Sequence, residues 1–436
     1  MAELVVAMNG RRVGVLRKAQ SGALSFQYDA SWLDHEGARA ISLSLPLRSS
    51  AFKGQSVYAF FDNLLPDVDA IRRRIQARTG AASHQPFDLL AAMGRDCVGA
   101  VQLLPLEEWQ QWGALPSVQA EAISHTEIAS KLNNIKANPF GIEEGEDFRI
   151  SLAGAQEKMA LLRYQGQWHQ PKGSTPTSHI IKLPMGYIEH NNMDLSDSCE
   201  NEWLCSKIAE AYGLPVAASE LAQFGRQKTL IVERFDRRWS RDERWLMRLP
   251  QEDFCQALGI PSGLKYEADG GPSIQAGMKL LEGSQNANRD RETFFKAQIL
   301  FWLLAAIDGH GKNFSIFIEP NSAYRMTPLY DIISAYPVMS PSELPSKKAK
   351  MAMALTGKNR HYLWHKIQMR HFLSTAKHSG YSEVMAKKHL KDMRDKTPSV
   401  IQKVREQLPK DFPKYISDSI LNGLEKQARK IQLGDD

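Results

Sequence analysis

Cysteine is scarce: four residues in a chain of 436, at Cys97, Cys199, Cys205 and Cys255. No two form a C-x-x-C pair and none joins a histidine at zinc-site spacing, so neither a disulfide framework nor a structural zinc is expected. Reduced, mostly buried thiols in a cytoplasmic protein are the expectation. Long apolar runs are also missing. The most apolar stretch, Phe294 to Ile307 (FFKAQILFWLLAAI), carries Lys296 and Gln298 and is too short to span a bilayer. The opening Met-Ala-Glu-Leu-Val-Val has no basic region followed by an apolar one, so no signal peptide is expected. No G-x-x-x-x-G-K-[ST] occurs anywhere, which excludes a Walker-type phosphate cradle. No internal repeat is evident.

What is present reads as an ordinary globular protein. Hydrophobic residues make up 43% and charged residues 24%, enough to bury a substantial core, and the length suggests two to three domains or lobes. The net charge of +6 permits an anionic partner without demanding one. The excess collects in two runs: Lys347, Lys348, Lys350, Lys358, Arg360, Lys366 and Arg370, then Lys387, Lys388, Lys391, Arg394 and Lys396. Such runs are either solvated helix faces or a surface that lies near nucleic acid.

Along the chain, Leu4 to Tyr28 alternates around Asn9-Gly10, a strong hairpin signal. Ile41 to Leu45 reads as a period-2 strand stopped by Pro46. Val57 to Leu65 and Pro66 to Ala77 read as helices. Gly141 to Asp147 is an acidic approach to Phe148-Arg-Ile-Ser-Leu-Ala-Gly-Ala-Gln-Glu-Lys158, where small residues form a turn between two strand-like runs. Backbone N–H groups in such a turn can approach phosphates, although a plain tight hairpin has the same pattern. His179 to Leu183 is an apolar strand holding Lys182, and Glu200 and Glu202 open the helical run that follows. A lysine there needs an anionic partner or an exit to water. Ser219 to Arg226 and Thr229 to Phe235 read as strands, after which helices dominate. Tyr266 to Pro272 reads as a loop. Tyr362 to the C-terminus reads as helix broken near Pro398, Pro409 and Pro413.

The chemistry-bearing stretch is Asp308-Gly-His-Gly-Lys-Asn313, with Tyr330-Asp331 a short hairpin later. Protein kinases place Asp-x-x-x-x-Asn after a buried helix, with a second aspartate further on. In that arrangement Asp308 orients the attacking hydroxyl, and Asn313 and Asp331 hold magnesium through oxygen ligands. Lys312 steadies the transferred phosphoryl group. Lys182 neutralises phosphate charge and pairs with Glu202. Glu233 and Phe235, at a strand end, line the adenine pocket by position. Two other readings share parts of this pattern: a small-molecule phosphotransferase, and a non-catalytic DNA-binding regulator.

The segments from Phe148 to Lys158, His179 to Lys182, Val232-Glu-Arg-Phe-Asp-Arg-Arg238, Leu249-Pro-Gln-Glu-Asp253, Asp308 to Asn313 and Tyr330-Asp-Ile-Ile333 resemble those of the HipA toxins. So do Phe61-Asp-Asn-Leu-Leu-Pro66 and Gly94-Arg-Asp-Cys-Val-Gly99. These are bacterial serine/threonine kinases of type II toxin–antitoxin modules. The resemblance implies an α+β, two-lobed protein-kinase-like fold. Its β-rich half would include an N-terminal subdomain over 1–106 and an N-lobe over 107–236, with an all-helical C-lobe over 237–436. It implies ATP and Mg2+ as cofactors and a HipB-type helix-turn-helix antitoxin as partner. It also implies operator DNA bound mainly through that antitoxin, and glutamyl-tRNA synthetase as substrate. Ser151 matches the autophosphorylation serine, and Ala153, Gly154, Ala155, Gln156, Glu157 and Lys158 match the phosphate loop. Lys182, Glu233, Phe235, His310, Asn313, Tyr330 and Asp331 match the nucleotide and metal contacts. Some members carry a basic pair in the C-terminal helices, where Lys377-His-Ser-Gly380 keeps only the lysine. A phosphate on Ser151 would add about −1.5 to −2 charge beside the ATP phosphates and expel the loop.

Overall fold

The computed structural model describes residues 2–111, 118–135, 137–141, 150–154, 156–189 and 192–431. The chain opens with the expected hairpin. Ala2–Met8 pairs antiparallel with Arg11–Lys18, and Asn9 and Gly10 both take positive φ, +47° and +79°. Two left-handed central residues give the turn whose twist matches that of the strands it joins. Leu24–Tyr28, Phe52–Lys53 and Val101–Pro105 complete a five-stranded sheet. The helices Gln55–Asp62, Asp69–Thr79 and Pro86–Met93 follow in sequence. Ile41 to Leu45 is a correction: it is a turn closed by one bridge, Ser42 to Leu45, and not a strand. Its alternation has another cause. Ile41 and Leu45 are buried in the core, while the Ser42 and Ser44 hydroxyls bond the Gln256 carbonyl.

By contact the protein divides into two units, each assembled from separate stretches of chain. The first comprises Met1–Leu183, Ala222–Leu264 and Ser315–Tyr324; the second comprises Pro184–Leu221, Lys265–Phe314 and Arg325–Asp436. In the first unit, the core under the N-terminal sheet extends into Phe140, Ile150, Leu152 and Ala160. A second cluster, including Ile128, Met159, Leu161, Ile181 and Ile231, lies on another sheet. In that sheet Lys158–Tyr164, His179–Lys182 and Gln227–Glu233 run side by side.

The second unit is mostly helical. Ala287–Leu303 is its centre, and from Phe294 onward almost every residue is buried, Gln298 included. A helix buried on all sides reads as a continuous apolar run rather than a stripe. Helices dominate this unit without filling it, since Lys350–Thr356 and Arg360–Leu363 form a hairpin. The expected break at Pro398 does not occur: Glu383–Gln407 is one helix. A proline inside a helix costs about 3 kcal/mol. Here His389, Leu390, Met393, Thr397, Val400 and Val404 form a buried face that runs through the proline. Thr397 and Ser399 on either side donate hydroxyls back to the Met393 and Lys396 carbonyls, both at 2.8 Å. All four cysteines are buried and unbridged. Among the described residues, no helix is long and apolar enough to cross a membrane.

Candidate active site

In the second unit, the helix Ala287–Leu303 stops earlier than its apolar run suggests. Ala305 takes φ +49°, the closing position that usually goes to glycine. The Ala306 N–H then bonds the Phe301 carbonyl at 2.8 Å. This reversal delivers Asp308 to the surface. The next residue has to be small, because a Cβ on Gly309 would lie 2.3 Å from the Phe301 ring. The His310 N–H bonds the Asp308 carbonyl at 2.8 Å, and the Asn313 N–H bonds the His310 carbonyl at 3.0 Å. His310, Lys312 and Asn313 are buried.

The later aspartate is tied to the same turn. The Asn313 amide donates to the Asp331 carbonyl at 3.2 Å, and the Tyr330 hydroxyl donates to the Lys312 carbonyl at 2.7 Å. Asp331 has φ +55°, an uncommon conformation for a side-chain-bearing residue, and one that clusters at functional sites. Asp308, His310, Lys312, Asn313, Tyr330 and Asp331, all expected from the sequence, are thus brought together. Sequence reasoning passed over Tyr266 as loop. Its hydroxyl donates to Asp308 Oδ1 at 2.6 Å, and its ring meets His310 edge-on at 5.1 Å. It also missed Asn201, whose amide exchanges two hydrogen bonds with the Ser334 backbone at 2.8 and 2.9 Å. That exchange locks the helix Ser198–Ala211 to the chain three residues past Asp331. Glu202, on the same helix, is 3% exposed. Glu202 is therefore not a solvated acid at the start of its helix.

In the first unit, Lys158 and Lys182 stand directly opposite each other on neighbouring antiparallel strands. Opposed residues share a sheet face, and like charges there are unfavourable. Both lysines are buried, at 8% and 5% exposure. Lys158 Nζ donates to the Ala153 carbonyl. Gly154 has φ +102°, and a Cβ on it would lie 2.7 Å from Lys158 Nζ. Gln156 donates to the Leu183 carbonyl, and Glu157 pairs with Arg74. Ala155 lies outside the described residues, as do residues 142–149. Glu233 is exposed at its strand end, and Phe235 packs edge-on against Phe317 at 5.8 Å.

The small-residue turn is not a hairpin loop. Ile150 and Gly154 make isolated parallel bridges to Asp96 and Pro66. Ser151 is fully buried. Its hydroxyl donates to the Leu64 carbonyl at 2.7 Å and its N–H to the Asp96 carbonyl at 3.1 Å. Asp96 is a hub that sequence reasoning did not identify. Its carboxylate accepts from Arg234, Arg237 and Arg248 at 2.9–3.2 Å and from the N–H and hydroxyl of Thr177. Burial alone would raise its pKa. Arg237, Arg234, Arg248 and the Thr177 N–H outweigh that and hold it well below the usual carboxylate range. Glu252, also buried but held by the Leu43 N–H rather than by guanidiniums, is pushed the other way by desolvation, to about 8.

Residues 150–401 match the HipA-like C-terminal domain, and residues 4–104 match the HipA N-terminal domain. The chain belongs to the HipA family of serine/threonine kinase toxins. A curated relative, the putative kinase Y4mE of Sinorhizobium fredii, is 32% identical over 409 residues, covering 92% of each chain. The serine/threonine-protein kinase toxin HipA of Shewanella oneidensis is 28% identical, covering 72% of this chain and 71% of its own. A solved Shewanella oneidensis structure of HipA with HipB and operator DNA aligns with a TM-score of 0.80 at 23% identity, covering 98% of this chain and 96% of that one. At that identity the likeness speaks for the fold, which is the mixed α/β architecture of the HipA structure.

The residues suit a magnesium nucleotide. Magnesium takes one or two protein oxygens and fills its remaining positions with phosphate and water. A carboxylate on Asp331, with the Asn313 amide fixed against its backbone, provides that donor set.

Proposed function

We propose that this HipA-family chain transfers the γ-phosphoryl group of ATP to a serine or threonine hydroxyl of a protein, and acts as a toxin in doing so. The observation that carries the reading is the locked turn: Asp308 exposed on a buried scaffold, with Asn313 and Tyr330 tying Asp331 to it. Asp308 receives the acceptor hydroxyl and orients it for attack. Asn313 and Asp331 hold magnesium, which when bound neutralises charge on the phosphates. Lys158 and Lys182 hold phosphate oxygens, and Ala153 to Lys158 border them. Glu202 supports Lys182 as its acidic partner. His310, Glu233, Phe235 and Tyr330 contact the nucleotide, and Lys312 steadies the transferred group.

The substrate we propose is glutamyl-tRNA synthetase, whose loss stalls translation and arrests growth. A HipB-type antitoxin restrains the kinase, and the pair represses its own operon through operator DNA held mainly by the antitoxin. Autophosphorylation of Ser151 ends activity. Because Ser151 is sealed in the structure, that step requires the segment to leave Leu64 and Asp96 first.

Mass spectrometry of the purified chain after incubation with ATP and magnesium tests this. Phosphate on Ser151, absent in Asp308→Gln, supports base, loop and reaction together. Wild-type protein that labels neither itself nor glutamyl-tRNA synthetase overturns the reading. A Ser151→Asp protein that binds ATP like wild type overturns the inactivation step alone.

A further inference from the structure

Asp308 Oδ1 accepts a hydrogen bond from the Tyr266 hydroxyl at 2.6 Å. We propose that Tyr266 is a positioning residue for Asp308: it holds one carboxylate oxygen so that the other faces the acceptor hydroxyl. This rests on the reading of Asp308 given above.

An exposed aspartate at the end of a turn has two soft side-chain torsions. Its backbone is fixed by the His310 N–H on its carbonyl, but that bond leaves the carboxylate free to rotate. Tyr266 supplies the missing constraint and is itself rigidly placed. It precedes the short helical turn Glu267–Asp269, where Asp269 and Gly271 N–H groups bond its carbonyl at 3.0 and 2.8 Å. Its ring packs edge-on against buried His310, two residues past Asp308. The preceding residue is pinned too, since the Gly311 N–H bonds the Lys265 carbonyl at 3.2 Å. Ring, backbone and base are thereby held to one turn. A neutral donor suits the task better than a cation would. It orients the carboxylate without pairing off its charge, so the second oxygen keeps its attraction for a hydroxyl proton. Near-attack geometry in phosphoryl transfer is set by such orientation, because positioning supplies most of the catalysis.

Tyr266→Phe removes the donor and keeps the ring, hence the His310 contact and the fold. A hydrogen bond to a charged group at a partly exposed site corresponds to about a 10-fold loss of turnover. The measurement is phosphoryl transfer to a protein acceptor, with nucleotide affinity read separately by calorimetry, in wild type, Tyr266→Phe, Asp308→Asn and the double variant. The expected result is kcat down about 10-fold in Tyr266→Phe, with ATP affinity and melting temperature unchanged. The expected double variant is no slower than Asp308→Asn alone, because Tyr266 acts only through that carboxylate. Equal activity of Tyr266→Phe and wild type overturns the proposal, as does an additive double variant. Phosphate found on Tyr266 itself also overturns it, by making the phenol an acceptor. Wild type that transfers no phosphate overturns the proposed kinase function along with it, and so is distinguishable from these outcomes.

Discussion

Asp96 and Asp308 are both aspartates that organise their surroundings, and they do so in opposite ways. Asp96 is sealed in the first unit, with every carboxylate lone pair directed at a guanidinium, an N–H or a hydroxyl. Arg234 and Arg237 are shared with Asp236, so three cations and two anions make one buried network. Asp308 stands exposed in the second unit, and among the described residues its carboxylate accepts from one neutral phenol, that of Tyr266. A carboxylate saturated by cations is committed to the fold. One steadied by a neutral donor keeps capacity for a substrate. Charge alone does not separate these two aspartates; the identity of their partners does.

The comparison can be broken at either end. Asp308→Gln should cost about 10²- to 10⁴-fold in phosphoryl transfer, the usual worth of a positioned base. Its unfolding free energy should stay within about 0.5 kcal/mol of wild type, as for an exposed residue outside the core. An Asp308→Gln protein as unstable as a core variant would place Asp308 with Asp96. Asp96→Asn should cost about 3–5 kcal/mol in denaturant unfolding, because it strands buried guanidiniums. A variant that unfolds like wild type would show that the hub is dispensable. Gly309→Ala should cost about 1–3 kcal/mol through overpacking against Phe301, along with activity, since the turn carrying Asp308 must shift.

The smallest effect is on pH dependence, and it separates two buried carboxylates of the same unit. The pKa of Glu252 in the fold, about 8, exceeds its ordinary value of 4.5. The stability it contributes is therefore complete below 4.5 and lost as pH rises through about 8. Asp96 is shifted down, so its contribution persists through this window and fails only in strong acid. Melting temperature should fall between about pH 4.5 and pH 8, and Glu252→Gln should flatten that slope. A slope unchanged by the substitution would assign it to other groups.

Local signals were legible where one interaction decides the outcome. Asn9-Gly10 specified its hairpin because few residues accept two positive φ values in a row. The buried helix before Asp308 was legible because its apolar run had no polar face. Ile41 to Leu45 failed because Glu252 and Gln256, more than 200 residues away, take its backbone and hydroxyl groups. Pro398 failed because a buried helix face outweighs one lost hydrogen bond. In the candidate site, spacing revealed the cluster from Asp308 to Asn313. Lys158 and Lys182 were each singled out, but that they face the same way depends on strand register, which no local pattern records. Tyr266 and Asn201 act through contacts to Asp308 and Ser334, 42 and 133 residues away in the chain, and nothing beside them in sequence announces those partners.

The burial of Ser151 has a kinetic meaning. A hydroxyl with no exposed surface, bonded to the Leu64 carbonyl, can react only in the fraction of molecules whose segment has opened. Its modification rate then equals the chemical rate multiplied by that open fraction. The contacts to Leu64, Asp67 and Asp96 thus set a delay. Under the proposed inactivation by Ser151 phosphorylation, substitutions that weaken them should shorten that delay without touching a single residue of the Asp308 turn.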